Sequence, residues 1–216
     1  MCLVLIMALV RPKVNLIKLS LNISHLPNGI ENISKLSRDP KWVWCRESAS
    51  ASSFVFRHES GFIYQIFKSG HINLTNVRRV QEIEKAIAII YRIIGIPKIL
   101  EKEFRIDNIQ ATGRLNLYTR DRSLKSICDR LSQLGSDCNI RNLSFEPQRF
   151  PGAFIKYQDG NVKATIILFN SRRFVLVGLN SLDSVNSIHD WLERCIWRAT
   201  EESNLREAAL PALMKM

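Results

Sequence analysis

The sequence of 216 residues contains one pattern of segments twice, and this internal repeat constrains the fold more than any other feature. IFKSGHINLTNV at 66–77 aligns with LFNSRRFVLVGL at 168–179, which matches Phe67 with Phe169. Each segment is followed by a long run of apolar residues at helical spacing. The repeat therefore predicts two copies of one unit that contains both strands and helices.

A long helix is predicted after each repeated segment. The first is indicated by Val80, Ile83, Ile87, Ile90, Tyr91 and Ile94, and Gly95 stands where a helix commonly ends. The second is indicated by Leu182, Val185, Ile188, Leu192 and Ile196, and Ser181 is the expected N-cap.

The segments upstream repeat as well. VNLIKLSLNI at 14–23 is matched with DNIQATGRLNL at 107–117, which pairs Asn15 with Asn108. A short amphipathic helix is predicted after each, over 30–37 and over 124–134.

We expect Asp121 to cap the start of the second short helix and Gly135 to end it. Strand-like runs follow each short helix: WVWC, SFVFRH and FIYQIF in the first half, and IRNLSF, AFIKY and KATIILF in the second. Each half then reads strand, helix, four strands, helix. The economical architecture is α+β, with about ten antiparallel strands and four helices on one face of the sheet.

Four segments follow from this pattern. The expected boundaries are an N-terminal extension over 1–11, a first repeat over 12–100, a second repeat over 104–199 and a tail over 200–216. The apolar opening MCLVLIMALV is too short to span a bilayer, and no membrane segment is expected. Three interpretations of it stay open: an added strand, a partner-binding extension and a misassigned start codon.

The sheet face opposite the helices is predicted to be apolar in places. In FVLVGL, Phe174 and Leu176 share one face while Val175 and Val177 share the other. Phe150 and Phe169, at the two ends of a hairpin, would flank an exposed apolar floor. A net charge of +11 favours a polyanion as partner, with nucleic acid ahead of an acidic membrane. The DNA minor groove combines phosphate edges with a floor into which proteins insert apolar wedges.

No motif for catalysis or metal binding is found. The five cysteines form no CxxC pair, and the four histidines show no metal-ligand spacing. A phosphate-binding glycine loop, HExxH and a nucleophile elbow are all missing. We therefore predict a protein that is not an enzyme, with no cofactor and no metal. The alternative enzyme reading is an accessory nucleic-acid-binding domain of a nuclease or glycosylase.

Several of these segments resemble the TATA-box-binding protein family. They are FEPQRFPGAF at 145–154, the two repeated segments, DNI at 107–109 and VNLI at 14–17, and the resemblance runs from about residue 12 to 198. It implies a pseudo-twofold saddle whose curved sheet carries its helices on the convex face. It also implies a transcription initiation factor that bends A·T-rich promoter DNA from the minor groove, which is the mechanism known for that family.

The resemblance also implies particular DNA contacts. Asn15 and Asn108 would bond base acceptors at the centre of the site, and Phe67, Phe150 and Phe169 would be wedges. The floor of the groove would be touched by Ile17, Asn73, Thr75, Val175 and Val177.

Four positions depart from the family pattern. A fourth wedge phenylalanine is missing, and Trp42 or Trp44 is its candidate replacement, with a core position as the other reading. Gln110, Asn73 and Val177 replace the family's residues at floor positions. Minor-groove binding and bending are therefore expected more firmly than strict TATA preference.

Partners are implied in the same way. Glu146 and Pro147 lie in the loop expected to meet a transcription factor IIB-like protein, and RNA polymerase would follow. Arg78, Arg79 and Lys85 are expected to meet phosphate or a IIA-like factor, with a solvated helix face as the alternative. Such a protein would act in the nucleus, or in a viral replication factory if the chain is viral. The alternative function is an adaptor or repressor that has lost TATA-specific binding, and a free homodimer through the apolar face is a further expectation.

Overall fold

The computed structural model describes residues 11–22, 41–47, 53–94, 104–115 and 123–213. Within them lie ten strands and three α-helices. In the first half these are β1 Lys13–Asn22, β2 Trp42–Glu47, β3 Ser53–His58, β4 Ile63–Phe67, β5 His71–Val77 and α1 Glu82–Ile94. In the second half they are β6 Phe104–Arg114, α2 Leu124–Leu134, β7 Ile140–Ser144, β8 Gly152–Asp159, β9 Val162–Phe169, β10 Arg173–Leu179 and α3 Leu182–Leu213.

The strands follow the order β2-β3-β4-β5-β1-β6-β10-β9-β8-β7, and the pairs within each hairpin are antiparallel. The predicted α+β class with ten strands is confirmed. The chain divides into two compact units, Val14–Gln110 and Ala111–Met216 with Met1–Lys13. We call them the N-terminal and the C-terminal unit, and β6 contributes residues to both.

Some predicted elements have different or undescribed bounds. The predicted helix over 30–37 and the apolar opening over 1–10 lie outside the described residues. Helix α3 continues to Leu213, past residue 199 where the second repeat was expected to end. The boundary between the compact units follows Gln110 and therefore lies within a strand rather than between strands.

Helix α1 covers one face of the strands in the N-terminal unit. Four residues of its predicted apolar stripe are buried, Ile83, Ile87, Ile90 and Tyr91, whereas Val80 precedes the helix and is exposed. The hydroxyl of the buried Tyr64 on β4 donates a 2.8 Å hydrogen bond to the carbonyl oxygen of Ala86 on α1. Burial raises the pKa of Tyr64, so the phenol stays protonated and keeps its role as donor. This bond and the surrounding apolar contacts identify the helix-covered face of the unit.

Trp42 belongs to that buried core. Its side chain is only 7% exposed, and its ring packs against Phe56, His58 and Tyr64 at centroid separations of 4.9 to 6.3 Å. Trp42 therefore fills the core and does not replace the missing wedge. The side chain of Trp44 lies outside the described residues.

Helices α2 and α3 belong to the C-terminal unit, and their starts are capped differently. Ser181 is the N-cap of α3 as predicted, since its Oγ accepts a 3.2 Å hydrogen bond from the backbone N–H of Ser184. The predicted cap of α2 at Asp121 is wrong, because the helix begins at Leu124 after Ser123. The backbone N–H of Leu124 instead donates to Oδ1 of Asn170, in the turn after β9, at 3.0 Å. A side chain 46 positions away in the sequence thus accepts the hydrogen bond of the first backbone N–H group of the helix.

The core of the C-terminal unit requires a glycine on β6. A Cβ atom at Gly113 would lie 2.4 Å from Cζ of Phe174, whose ring is fully buried beside His189. Only a residue without a side chain permits this approach.

We predict that Gly113→Ala lowers the free energy of unfolding by about 1–3 kcal/mol, because the added methyl group overpacks a ring that has no room to move. Urea denaturation measures the loss. Phe174→Leu is the matched partner change: in the double variant the destabilisation should be smaller than the sum of the two single effects. Strict additivity of the two changes would contradict the close approach of Gly113 to Phe174.

Candidate nucleic-acid interface

The C-terminal unit has a sheet face that points away from the buried core. Three ladder pairs of β8 and β9 lie on it, Gly152 with Phe169, Phe154 with Ile167 and Lys156 with Thr165. Val175 and Val177 of β10 extend it through their pairing with Ile167 and Thr165. The intervening residues are buried, as period-two alternation requires: Ala153, Ile155, Ile166, Leu168, Phe174 and Leu176. We call this surface the open face of the C-terminal unit.

Three phenylalanine rings cluster at one end of this open face. The ring centroid of Phe150 lies 5.1 Å from that of Phe154 and 5.9 Å from that of Phe169, both in tilted arrangements. Phe150 and Phe154 each keep 36% of their surface exposed, although large apolar side chains are normally buried. The structure thus brings the two predicted wedges together and adds Phe154, which the sequence analysis missed. Alternation with the buried Ile155 and Tyr157 was the signal that could have found it.

Gly152 makes room for the cluster. A Cβ atom there would lie 2.8 Å from Cε1 of Phe150, 3.0 Å from Cγ2 of Ile167 and 3.1 Å from Cε1 of Phe169. The turn before it holds Phe150 in place, because the carbonyl oxygen of Glu146 accepts hydrogen bonds from the backbone N–H groups of Arg149 and Phe150 at 2.9 and 3.0 Å. The FEP turn therefore positions the first ring.

Basic residues surround the other end of the same face. Arg141, Lys156 and Lys163 line a shallow groove together with Thr165 and Gly178, and all three cationic side chains belong to exposed residues. The open face of the C-terminal unit thus runs from an aromatic end to a cationic end.

The open face of the N-terminal unit has a different composition. Ser53 pairs with Phe67, Val55 with Gln65, and Gln65 in turn with Asn73, while Ile63 pairs with Thr75. The predicted contacts Phe67, Asn73 and Thr75 all lie on this face and are half-buried. The ring of Phe67 lies 5.8 Å from the imidazole of His71. Val55, which pairs with Gln65, takes the ladder position that Phe154, paired with Ile167, has in the other unit.

Strands β1 and β6 require a correction. Ile17 is fully buried and pairs with the buried Val77, so the prediction that it touches the groove floor is wrong. Ile109 of β6 is buried in the same way. Asn108 directly precedes Ile109, whereas the residue that directly precedes Ile17 is Leu16.

The two asparagines therefore do not occupy equivalent positions: Asn15 lies two residues before the buried Ile17 and so on its side of β1, whereas Asn108 is adjacent to the buried Ile109. Alignment on the asparagine letters displaced the match by one residue, which in a strand exchanges the two faces. Asn108 and Gln110 flank the buried Ile109, so alternation directs their side chains away from the core.

The predicted partner-binding residues are all on the surface. Glu146 and Pro147 are exposed in the turn before Phe150, and the Glu146 carboxylate pairs with Arg149 at 3.0 Å. Arg78, Arg79 and Lys85 are exposed at the start of α1. The backbone N–H groups of Arg78 and Arg79 donate to the Glu82 carboxylate at 3.0 and 3.2 Å, which fixes the turn before the helix.

The described residues contain no group of three or more histidine, cysteine or acidic side chains that could hold a metal ion. Cys128, Cys138 and Cys195 are free and buried, and burial raises the pKa of the Cys128 thiol to about 11. These thiols act as small apolar core groups. Among the described helices, none has the length and apolar character needed to cross a membrane.

Fold and surface together define a class: a duplicated sheet protein with helices over its core and an exposed aromatic and cationic face. Comparison with known proteins shows which proteins the chain is similar to. The chain is 28% identical over 116 residues to a TATA-box-binding protein of Archaeoglobus fulgidus, covering 52% of this chain and 57% of that protein. It is 29% identical over 119 residues to a TATA-box-binding protein of Methanocaldococcus jannaschii, covering 54% and 57%. The corresponding values for TATA-box-binding protein 2 of Haloferax volcanii are 27% over 133 residues, 60% and 65%.

These alignments span about three fifths of the length of the curated relatives. A solved structure, Methanococcus jannaschii TBP, matches the fold with a TM-score of 0.62 at 21% identity, covering 87% of this chain and 99% of that one. No protein-family profile matches the sequence. The chain is thus similar to TATA-box-binding proteins over more than half of its length, and it shares the fold of the solved one. The prediction of a protein that is not an enzyme agrees with this similarity.

We predict that Gly152→Ala separates the phenylalanine rings, because the new methyl group occupies the space between them. The measurement is the set of nuclear Overhauser effects between the rings of Phe150, Phe154 and Phe169, which should weaken or disappear. The same overpacking should lower the stability of Gly152→Ala, and adding Phe150→Ala should restore part of that loss because it removes the ring nearest to the new methyl group. Unchanged ring contacts in Gly152→Ala would contradict the assigned packing.

Proposed function

We propose that this protein binds A·T-rich duplex DNA from the minor groove, bends it by inserting phenylalanine side chains between base steps, and supports transcription initiation on the bent DNA. The observation that carries the proposal is the exposed cluster of Phe150, Phe154 and Phe169 on a strand face. Soluble proteins rarely leave such a cluster in water unless it binds a partner.

The chemistry of the open face suits a groove of DNA. Unstacking a base step costs a few kcal/mol, and burying exposed aromatic rings between the bases offsets that cost. Valine and isoleucine side chains beside the rings present an apolar surface to a groove floor that, in A·T pairs, carries only acceptors. Asn108, on the side of β6 opposite the buried Ile109, would supply donors to those acceptors.

The charge distribution supports the same partner. The whole chain carries a formal net charge of +11, and Arg141, Lys156 and Lys163 lie at the end of the open face opposite the rings. Cations beside an apolar strip match the arrangement of phosphates beside a groove floor. The relatives named TATA-box-binding proteins support promoter DNA as the biological target.

Two exposed surfaces are the proposed contacts for other initiation factors. The turn with Glu146 and Pro147 would meet a transcription factor IIB-like protein, because it is rigid, exposed and next to the wedge Phe150. Arg78, Arg79 and Lys85 would meet an acidic IIA-like factor or phosphate. RNA polymerase would be recruited through those factors.

We predict that the protein shortens the end-to-end distance of a short A·T-rich duplex, measured by fluorescence energy transfer between dyes at its two ends. Phe150→Ala with Phe169→Ala should abolish the shortening, because no wedge pair remains to hold the kink open. Thermal unfolding of this variant should stay close to that of the unaltered protein, since these rings are not part of the buried core.

Trp197→Ala is the matched control. Trp197 is an aromatic residue on α3 that is 55% exposed, so its removal should leave the shortening intact. If no duplex is shortened by the unaltered protein, the bending proposal fails and the adaptor reading takes its place.

Affinity for the same duplex should fall steeply with salt, because cationic side chains release counterions when they contact phosphates. Replacement of Lys156 and Lys163 by Gln should reduce the slope of log affinity against log salt by roughly 2, about 0.9 for each phosphate that is no longer neutralised. Titrations at several salt concentrations measure the slope. An identical slope for the variant would remove these lysines from the interface.

A further inference from the structure

The two open faces differ in chemistry at positions that the strand ladders make equivalent. Gln65 pairs with Asn73 in the N-terminal unit, and Ile167 pairs with Val175 in the C-terminal unit. Two residues further along β4 and β9, Phe67 and Phe169 also match, since Phe67 pairs with Ser53 and Phe169 with Gly152. The positions of Gln65 and Asn73 in one unit are therefore those of Ile167 and Val175 in the other, and they carry carboxamides in the first and aliphatic side chains in the second.

The carboxamides belong to a chain of hydrogen bonds across the strands. Gln65 Nε2 donates to Ser53 Oγ at 3.1 Å, and Asn73 Nδ2 donates to Gln65 Oε1 at 3.5 Å. His71 Nε2 lies 3.1 Å from Asn73 Oδ1. Each link restricts rotation of the next side chain, so the amide groups are held in fixed orientations on a half-buried surface.

The chain of bonds leaves hydrogen-bonding capacity at the surface. A carboxamide has two N–H donors and an oxygen with two lone pairs, and the links above use one donor and one lone pair of each amide. Gln65 and Asn73 can each therefore both accept and donate one more bond. Ile167 and Val175 can do neither.

Polar groups continue onto β1 and β6. Ser20 pairs with Asn73 in the ladder, and its Oγ donates to Asp107 Oδ1 at 3.0 Å. Arg105 Nε bonds the same oxygen at 2.8 Å, so the carboxylate is ion-paired. The amide pair is thus part of a polar surface and not an isolated substitution in an apolar one.

We infer that the two units read base pairs differently: the N-terminal unit accepts G·C pairs through Gln65 and Asn73, while the C-terminal unit requires A·T pairs. The inference rests on the proposed function. In the minor groove a G·C pair differs from an A·T pair by the N2 amino group of guanine, a donor. An amide oxygen can accept from that group, and an amide N–H can equally serve the acceptors of an A·T pair.

Against the aliphatic face of the C-terminal unit, the guanine amino group would be buried without a partner. A mismatched base pair of this kind typically weakens binding by roughly tenfold. The protein would therefore select a composite site, strict in A·T content where the aliphatic face lies and permissive where the amide face lies.

The first experiment measures affinity and end-to-end shortening with the unaltered protein on three duplexes. One carries only A·T pairs, one carries G·C pairs in a single half of the site, and one carries them in both halves. Because the protein is free to bind in either direction, the duplex with G·C in one half should bind about as well as the A·T duplex. The duplex with G·C in both halves should bind roughly tenfold more weakly or worse.

Inosine in place of guanine tests the chemistry without altering the protein, because inosine lacks the N2 amino group. Starting from the duplex with G·C in both halves, inosine in one half should restore the lost affinity, since the protein can turn its aliphatic face to that half. With G·C in one half only, inosine should bring little or no gain.

Reciprocal variants assign the effect to the named residues. Gln65→Leu with Asn73→Val should weaken binding to the duplex with G·C in one half roughly tenfold, to the affinity that the unaltered protein shows for the duplex with G·C in both halves. Ile167→Gln with Val175→Asn should improve binding to the latter duplex. Thermal unfolding verifies that each variant is folded. If a variant is not folded, the inosine series with the unaltered protein still tests whether the guanine amino group causes the loss of affinity.

The outcomes separate the two proposals. Binding and shortening of A·T DNA with an equal penalty for G·C in one half or in both would overturn the composite site and leave the proposed function intact. An unchanged profile in the Gln65→Leu, Asn73→Val variant would also overturn it. Failure to bind any duplex would overturn both.

Discussion

The rest of the structure depends on one constraint: the same strands carry a helix-covered face on one side and an open face on the other. Successive side chains of a strand point to opposite sides, so each buried residue determines the orientation of its neighbours. In the C-terminal unit, burial of Ile155, Ile166 and Leu168 forces Phe154, Ile167 and Phe169 outward. The exposed aromatic surface is thus a geometric consequence of how the core packs, and the function proposed for it follows from its exposure.

Small residues then decide how precisely that surface is built. Gly152 leaves space for the rings of Phe150 and Phe169, and Gly113 leaves space for the buried ring of Phe174 on the other side of the unit. Both glycines act by the absence of a Cβ atom at a close approach. The positions of the rings therefore depend on residues that contribute no side-chain area of their own.

The two units differ in chemistry on their open faces. Their cores use the same types of apolar residue, because both must exclude water beneath helices. The open faces do not have to exclude water beneath a helix. On them, one unit carries Ile167 and Val175 while the other carries Gln65 and Asn73. A duplicated fold can in this way keep one architecture and present two surfaces with different hydrogen-bonding capacity.

The sequence by itself determined the duplication, the order of the elements that the structure describes, the two long helices with most of their buried residues, and the positions of Phe67, Phe150 and Phe169. These follow from period and residue type, which are local properties. Tertiary structure alone decided the register of β1, which buries Ile17 and separates Asn15 from the position of Asn108. It also decided the cap of α2 by Asn170, the core position of Trp42 and the hydrogen-bonded chain from Ser53 to His71. The reason is physical: a slip of one residue or a partner distant in the chain changes the side-chain environment without changing any local pattern.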